Sequence, residues 1–320
     1  MSEELFTEEE AKTLYSELTN PKLELKYGEN PWQKAYLYGN NTSDYDVYSG
    51  QMLSYNDFLN INEACKIASE FYDVCAAVSV KNVMPCGAAL PPDIEEAFEK
   101  ALDCDPVGAF GSTFAFTQKV DEKFAQKLSQ MYFNAVIAPD FSEEAIEILK
   151  KSSNLKIIRL NTPLKEFSKF TTKDVKLTPL GVLVRESHSK DFAKDTFKVV
   201  SKKKPNKEQV EDMIFAIKIV KHARSNAAVI AKDFKTSAIA QGFTNFADAT
   251  EYALNKSCEQ SKDAILALDG DLSAESIVKA AVQGRIGGII LPNITNADVI
   301  LTADKYELVV ITTGIRELKH

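Results

Sequence analysis

The sequence has few of the residues that define several large protein classes. It contains five cysteines and three histidines in 320 residues, and its 38 Lys and Arg are outnumbered by 46 Asp and Glu. An odd number of cysteines without framework spacing argues against a disulfide scaffold and indicates reduced thiols in a cytoplasmic protein. The formal net charge of −8 argues against a nucleic acid as the main partner, since proteins that bind its backbone carry an excess of positive charge.

Long apolar runs are also absent from the sequence. No stretch reaches the roughly 18 apolar residues of a transmembrane helix. Residues 1–5 are acidic and lack the basic-then-apolar pattern of a signal peptide. We therefore expect a cytoplasmic protein without a membrane or nucleic-acid partner. The hydrophobic fraction of 45% is ordinary for a globular protein, which leaves a cytosolic enzyme or a binding module.

Common catalytic motifs are missing as well. The sequence has no GxGxxG, GxxxxGK[ST] or GxSxG string, so it supports no dinucleotide fingerprint, P-loop or nucleophile elbow. Pro85 and Cys86 resemble half of a zinc-deaminase motif, but Ala89 stands where the second cysteine would be, and no HxE string precedes it. We therefore predict no zinc site and interpret Cys86 as a small packing residue.

Short apolar runs alternate with amphipathic helices along most of the chain. The runs predict buried strands at 74–80, 113–116, 135–138, 156–160, 227–231, 237–240, 265–268, 286–291 and 308–312. This alternation predicts an α/β fold in which many strands are buried on both faces. A polar stretch near 186–196 marks a soft boundary, so we predict two subdomains, 1–190 and 191–320.

Polar groups beside Gly or Pro follow several of these strands, where ligands bind in open α/β sheets. Lys81 and Asn82 stand at such a strand end and begin a predicted loop over residues 81–87. A lysine there could hold a phosphate or stabilise an oxyanion, or it could be solvated. The loop 105–111 contains glycines that allow close ligand approach, and a plain turn is the alternative. The basic cluster at 221–226 ends a helix, where cations are favourable without any ligand.

Seven short strings stand out when the chain is read in order. They occupy residues 26–33, 53–56, 81–87, 105–112, 136–139, 221–226 and 316–320. They are similar to the strings Arg-Tyr-Gly-x-Asn-Pro-His-Gln, Leu-Ser-Tyr-Asn, Lys-His-x-x-Pro-x-Gly, Asp-Pro-x-x-Ala-Phe-Gly-Gly, Ile-Ile-Ala-Pro, Lys-x-x-x-Ser-Asn and Arg-x-x-x-His of one family. The sequence therefore resembles, over nearly its whole length, the transformylase domain of AICAR formyltransferase/IMP cyclohydrolase.

This resemblance implies a fold and an activity. The fold would be two cytidine-deaminase-like α/β/α subdomains with mixed sheets. This suits a weak sequence similarity between Val80-Lys81, which ends a predicted strand, and Val220-Lys221, which precedes one. The activity would be transfer of a formyl group from the co-substrate 10-formyltetrahydrofolate to the amino group of AICAR. A homodimer with active sites across its interface is also implied. Because only about 25 residues precede the first string, we expect the cyclohydrolase domain to be missing.

The resemblance also assigns roles to single residues. Lys81, Asn82 and His320 are the catalytic candidates, with Asn82 at the position of the family's catalytic histidine. Asparagine cannot accept a proton at neutral pH, so His320, or as a second choice His222, is the candidate base. The candidates for substrate binding are Lys26, Tyr27, Gly28, Asn56, Gly111, Asn134, Asn226 and Arg316.

Departures from the family's strings keep two other interpretations open. Lys26 replaces an arginine and loses its bidentate geometry, and Asn134 replaces a residue that is often acidic. One alternative is a non-catalytic member that binds AICAR-like nucleotides or serves as a structural subunit of an active paralog. Another is a folate- or nucleotide-using enzyme with changed specificity. Four retained residues favour the formyltransferase, namely Lys81, Asn226, Arg316 and His320.

Overall fold

The computed structural model describes residues 8–19, 21–39, 44–49, 52–168, 173–186, 190, 192 and 194–320. The chain begins with helix α1 (Glu8–Thr19) and a two-stranded ribbon, β1 (Pro21–Glu24) and β2 (Tyr36–Tyr38). None of the helices within the described residues is long and apolar enough to cross a membrane.

The first large unit follows the ribbon. Its elements are β3 (Tyr45–Ser49), α2 (Tyr55–Ser69), β4 (Ala77–Lys81), β5 (Met84–Ala89), α3 (Ile94–Cys104), α4 (Pro106–Ala109), β6 (Thr113–Phe116), α5 (Glu122–Leu128), β7 (Ala135–Ala138), α6 (Glu143–Leu149) and β8 (Lys156–Leu160). A short helix, α7 (Leu164–Ser168), and an antiparallel hairpin, β9 (Lys173–Thr178) and β10 (Gly181–Glu186), connect it to the second unit.

The second unit repeats the same series after a 3-10 turn at Lys194–Thr196. Its elements are β11 (Lys198–Val199), α8 (Lys207–Val220), β12 (Ala228–Lys232), β13 (Lys235–Ala240), α9 (Phe246–Ser257), a 3-10 turn (Cys258–Ser261), β14 (Ile265–Leu268), α10 (Glu275–Gln283), β15 (Gly288–Leu291), α11 (Ala297–Lys305) and β16 (Val309–Thr312). Each unit thus has the order strand, helix, hairpin, and then helices alternating with parallel strands.

Twelve strands of the described chain form one mixed sheet that runs through both units. Its order is β11-β16-β15-β14-β12-β13-β5-β4-β6-β7-β8-β3. Counted outward from the junction between β5 and β13, the strands of the first repeat and those of the second follow the same spatial order. The pattern of parallel and antiparallel neighbours is also the same in both repeats. Because β5 and β13 are antiparallel, the two repeats are related by a twofold-like rotation about an axis normal to the sheet. The alternation of strands and helices confirms the predicted α/β class.

Helices cover both faces of this sheet. On one face, α2 and α8 pack on the sheet in a core that includes Ile67 and Phe215. On the other face, α3, α5 and α6 cover the first repeat, where Phe98 of α3 is buried. In the second repeat α9, α10 and α11 cover this face, where Ile277 of α10 is buried. The strands are buried on both faces because they lie between these layers, which explains their continuous apolar runs.

Two expectations about the chain path are wrong. The segment predicted as a loop at 81–87 is a tight hairpin whose second strand, β5, begins at Met84. Pro85 and small residues hide this strand, since they lack the β-branched signal of an ordinary strand. The sequence similarity between Val80-Lys81 and Val220-Lys221 also reflects no structural equivalence, because Val80 lies in β4 and Val220 ends α8. Lys81 corresponds instead to Lys232, which ends β12.

The predicted boundary at residue 190 falls between the two repeats. The first repeat ends with β8 and the second begins with β11, so the connection contains the predicted boundary. Residues 187–189, 191 and 193 in this connection lie outside the described part. Since one sheet crosses both repeats, the division into two subdomains stays a prediction.

Candidate functional site

One edge of the sheet collects predicted site residues from both repeats. Lys81 ends β4 at this edge, and Gly111 and Asn134 lie just before β6 and β7. From the second repeat, Asn226 lies just before β12, and Asp269 follows β14. This edge therefore carries the starts of strands as well as the carboxyl ends where the sequence predicts ligand binding. Because β4 and β6 are antiparallel, the end of one strand lies beside the start of the other.

The two repeats make contact at this edge. Nε2 of Gln241, after β13, donates to the carbonyl oxygen of Pro85 at 2.9 Å. Beside this contact lies a cleft of about 410 Å³. Its lining residues come from the β4–β5 hairpin, the α3–β6 connection, β13 and α9, and they include Lys81, Asn82 and Tyr252. The cleft is therefore built by both repeats and is the natural candidate for a binding site.

The hairpin turn holds the two catalytic candidates of the first repeat. Asn82 and Val83 have φ values of 53° and 64°, the left-handed conformation of a two-residue hairpin turn. The Val83 amide donates to Oδ1 of Asn60 on α2 at 2.7 Å. Nζ of Lys81 donates to the carbonyl oxygen of Phe110 at 2.8 Å. These bonds fix the turn against the helix and hold the Lys81 ammonium group at the cleft.

The first predicted string packs on the start of α2. The Lys26 amide donates to the carbonyl of Leu53 at 2.9 Å, and the Tyr55 amide donates to the carbonyl of Tyr27 at 3.0 Å. Nδ2 of Asn56 donates to the carbonyl of Glu29 at 3.0 Å.

Gly28 is required locally, because an added Cβ would lie 2.8 Å from Cβ of Gln33. The structure thus brings together four of the substrate-binding candidates, which are Lys26, Tyr27, Gly28 and Asn56.

A buried polar network links Asn134 to two charged residues. Its Nδ2 donates to Oδ1 of Asp57 at 2.7 Å, and its Oδ1 accepts from Nζ of Lys156 at 2.7 Å. Burial tends to raise the pKa of Asp57, but hydrogen bonds from Asn134 and Ser54 and the charge of Lys156 lower it. Asn134 therefore has a protein partner on each side of its amide, and substrate binding by its side chain stays a prediction.

Gly111 lies beside this network, between the cleft and β6. Its φ of 71° favours glycine, and its amide donates to the carbonyl of Tyr132 at 2.9 Å. The ring of Tyr132 packs on that of Phe110, with centroids 5.3 Å apart. Both rings are largely exposed, so an aromatic pair borders the edge next to the Lys81 ammonium.

In the second repeat, Asn226 begins a tight polar arrangement. Its amide and Nδ2 both donate to the carbonyl of Phe243 at 3.0 Å. The preceding Ser225 donates its hydroxyl to Asp269, whose Oδ1 accepts from the Ala227 amide at 2.8 Å. Burial raises the pKa of Asp269, and these hydrogen bonds and the charge of His320 offset the rise only in part. His320 therefore lies within electrostatic reach of this carboxyl.

The C-terminal segment returns to this edge. The carbonyl of Lys319 accepts from the Ser225 amide at 3.0 Å, which places the exposed His320 beside Asn226. Arg316 lies farther along the same edge, where its Nη1 is 3.6 Å from Oδ2 of Asp271. The side chain of Arg316 is 56% exposed. The structure therefore brings His320 to the candidate site through Lys319, whereas the Arg316 ion pair with Asp271 involves no other predicted site residue.

Sequence reasoning missed Asn60 and Glu63, which connect these parts. With the predicted Asn56 they form one polar stripe along α2, and Asn56, Asn60 and Glu63 contact the first string, the hairpin turn and Lys319 respectively. Their spacing of four and three residues is the helical signal that could have revealed them.

Cys86 lines the cleft, but burial and the nearby Asp105 raise the pKa of its thiol to about 12, so it is no ready nucleophile. Among the described residues, no group of three His, Cys, Asp or Glu residues could hold a metal ion.

Several known proteins are similar to this chain in sequence. A sequence model of the AICARFT/IMPCHase bienzyme family matches residues 1–256. The bifunctional purine biosynthesis protein PurH of Thermoanaerobacter sp. is 41% identical over 305 residues, which cover 93% of this chain and 59% of that protein. The PurH proteins of Acetivibrio thermocellus and Aquifex aeolicus are 37% and 35% identical, with coverage of 93% and 92% of this chain and 59% of each relative. The chain thus spans about three fifths of the length of these relatives.

Proposed function

Since this chain belongs to the AICARFT/IMPCHase bienzyme family, we propose that it transfers a formyl group from 10-formyltetrahydrofolate to the amino group of AICAR. The observation that carries this proposal is the shared edge of the sheet. There the Lys81 ammonium lines a cleft between the repeats, and Lys319 links the hairpin turn to the segment that ends in His320.

The reaction makes two demands on the site. The AICAR amine attacks the formyl carbon, so a C–N bond forms, negative charge develops on the formyl oxygen, and the bond to N10 of the folate then breaks. The oxygen needs a cation or a hydrogen-bond donor, and the amine must lose a proton while the folate nitrogen gains one. Lys81 supplies the cation, and the Asn82 amide supplies a donor that can orient the formyl group.

His320 is the proposed base. Asn82 cannot take a proton, whereas a neutral imidazole has a ring nitrogen that can accept one. His320 follows Lys319, whose backbone is fixed to Ser225, and it lies within electrostatic reach of Asp269. His222 is a poorer candidate because its two ring nitrogens lie 3.2 and 3.4 Å from carboxylates of Glu63 and Glu70.

AICAR recognition is assigned to the polar groups around α2 and the second-repeat edge. The ammonium of Lys26 and the carboxamide oxygen of Asn226 are groups that can meet a phosphate or the base of the nucleotide. We also place the activity in a homodimer in the cytoplasm. The five free cysteines support a reducing compartment. The exposed apolar side chains of the β9–β10 hairpin, among them Leu177, Leu180 in the turn and Leu183, support a partner surface.

One assay tests the activity directly. The purified protein is incubated with AICAR and 10-formyltetrahydrofolate, and release of tetrahydrofolate is followed. Release that depends on AICAR supports the proposal. The alternative from the sequence interpretation, in which Asn82 stands where the family's histidine is expected, is a non-catalytic member that binds AICAR-like nucleotides. Measurable AICAR binding without turnover would select that second function.

A further inference from the structure

A buried ionic cluster lies behind the candidate site. It consists of Glu63 from α2, Glu70 just after α2, Lys221 and His222 just after α8, and Lys319 from the C-terminal segment. Their side chains are only 3–24% exposed. Charges at such depth are costly unless they are paired. The cluster therefore holds its three chain segments together in one arrangement.

The pairing within the ionic cluster is continuous. Nζ of Lys319 is 2.7 Å from Oε1 of Glu63, which lies 3.2 Å from Nδ1 of His222. Nε2 of His222 is 3.4 Å from Oε1 of Glu70, and the same oxygen is 2.5 Å from Nζ of Lys221. Two carboxylates thus face two lysines and one histidine, and each carboxylate has two cationic or hydrogen-bonding partners.

Lys319 connects this cluster to both parts of the candidate site. Its Nζ donates to the carbonyl of Val83 in the hairpin turn at 3.4 Å and to the carbonyl of His222 at 3.2 Å. Its own carbonyl accepts from the Ser225 amide, next to Asn226. His320 follows directly, and consecutive Cα atoms are only about 3.8 Å apart. A displacement of Lys319 therefore displaces His320 and frees one side of the turn.

We propose that Glu63 and Lys319 are positioning residues, which hold His320 and the hairpin turn of Asn82 and Val83 in the geometry that formyl transfer requires. The role in catalysis rests on the proposed function. Neither residue needs to touch substrate. Glu63 retains the Lys319 ammonium, and Lys319 fixes the position of the histidine that follows it. A misplacement of about 1 Å by a remote change can cost roughly 100-fold in rate.

The first experiment measures the hold on the C-terminal segment without any use of activity. Carboxypeptidase Y is applied to the folded wild-type protein and to Glu63→Gln, which leaves the sequence of the segment unchanged. Release of His320 is followed by mass spectrometry. We expect release to be at least tenfold faster from the variant. Equal release rates from the wild-type protein and Glu63→Gln overturn the proposal. Lys279→Met, which removes an exposed lysine paired with Glu275 at 3.0 Å, is the control and should leave release unchanged.

The second experiment tests positioning through kinetics. Lys319→Met should lower kcat at least tenfold with little change in KM for 10-formyltetrahydrofolate, and Lys319→Arg should restore most of the loss. If Lys319 acts through His320, Lys319→Met should cause less than a twofold further loss in the His320→Ala background. Losses that multiply in the double variant overturn the positioning of His320 by Lys319. If the wild-type protein transfers no formyl group, the proposed function is contradicted. If His320 is nevertheless released faster from Glu63→Gln than from the wild type, the structural hold on the C-terminal segment is still supported.

Discussion

The two repeats build the same hairpin turn but fix it with different side chains. In the first repeat, Oδ1 of Asn60 accepts from the Val83 amide at 2.7 Å. In the second, the two carboxylate oxygens of Asp212 accept from the amides of Asp233 and Phe234 at 3.0 and 2.9 Å. Both turns have two residues with positive φ. The fold needs an acceptor at this point, and a neutral amide provides it only in the turn that borders the candidate site.

The helices behind the turns show the same difference. Asn60 lies six residues after the N-cap of α2, and Asp212 lies six residues after that of α8. Nine residues after the N-caps stand Glu63 and Phe215. Phe215 packs against the ring of Phe71, with centroids 5.6 Å apart, whereas Glu63 holds Lys319. The same helical position thus serves packing in one repeat and the candidate site in the other.

The rotation between the repeats places their turns at opposite edges of the sheet. The turn of the second repeat borders a separate cleft of about 350 Å³, lined by four lysines that include Lys232 and Lys235. Lys235 forms an ion pair with Asp103, and Nζ of Lys232 donates to the carbonyl of Lys262. The candidate site therefore combines the turn of one repeat with the opposite end of the other repeat, where Asn226 lies.

The largest effect is expected when methionine replaces Lys81 at the turn of the first repeat. The same substitution of Lys232, at the turn of the second repeat, is the matched comparison. Lys81→Met removes the cation beside the developing oxyanion and should lower kcat roughly 100- to 1,000-fold. Lys232→Met, at the equivalent position of the second repeat, should leave kcat within about twofold. Steady-state kinetics of formyl transfer check both variants. Equal losses in the two variants would remove the functional distinction between the turns.

The next effect concerns stability in acid. Burial would raise the pKa of Glu63, but the hydrogen bond and charge of His222 and the charge of Lys319 hold its pKa at about 2. A carboxyl whose pKa is lower in the folded state stabilises the protein above its unfolded value of about 4.5. This contribution is lost as the pH falls toward 2. Glu63→Gln should cost about 3 kcal/mol at pH 7 and flatten this pH dependence.

Urea unfolding between pH 2 and 7 checks this prediction, and the second repeat offers a control. Phe215→Leu changes the equivalent helical position without a titratable group. It should lower the free energy of unfolding by about 1 kcal/mol and leave the shape of the pH profile unchanged. A pH profile of Glu63→Gln that parallels the wild type would contradict the assigned pKa.

A smaller effect is expected from removal of the two turn acceptors. Asn60→Ala leaves the Val83 amide without its partner, and Asp212→Ala leaves the amides of Asp233 and Phe234 without theirs. Each substitution should cost about 1–2 kcal/mol in the free energy of unfolding. Asn60→Ala should also lower kcat severalfold, because the turn carries Lys81 and Asn82. Asp212→Ala should leave kcat unchanged. Thermal unfolding and kinetics of both variants separate the structural contribution from the functional one.

The smallest effect is expected at Cys86. Cys86→Ser introduces the residue that stands at the equivalent position of the second repeat, Ser237. Because burial keeps the thiol neutral, with its pKa raised to about 12, the exchange should change kcat by less than twofold and stability by about 1 kcal/mol or less. Loss of activity in Cys86→Ser, with the fold intact, would assign the thiol a role in the cleft.

Much of the fold could be predicted from local patterns. The strands at 113–116, 135–138, 156–160 and 265–268 have the predicted bounds, because uninterrupted apolar runs between polar turns leave little choice. The strand that begins at Met84 could not be predicted from its proline and small residues. Its place in the sheet depends on β4 and β13, which lie beside it only after folding.

The candidate site was predictable in its parts and not in its assembly. The seven strings from 26–33 to 316–320 indicate the family through their order over nearly the whole chain, although no single string is decisive. The network of Asp57, Asn134 and Lys156 and the ionic cluster gave no comparable signal, since each is formed by side chains from separate segments.

The sequence by itself determined the α/β class, the approximate positions of most buried strands and the family, because these depend on local periodicity and on short ordered strings. Only the tertiary structure decided that the two repeats share one sheet and meet as antiparallel strands. That junction brings the turn of the first repeat to the same edge as Asn226 and His320 of the second. The physical reason is that a residue's own neighbours set its local conformation, whereas its partners across the sheet exist only once both repeats have folded.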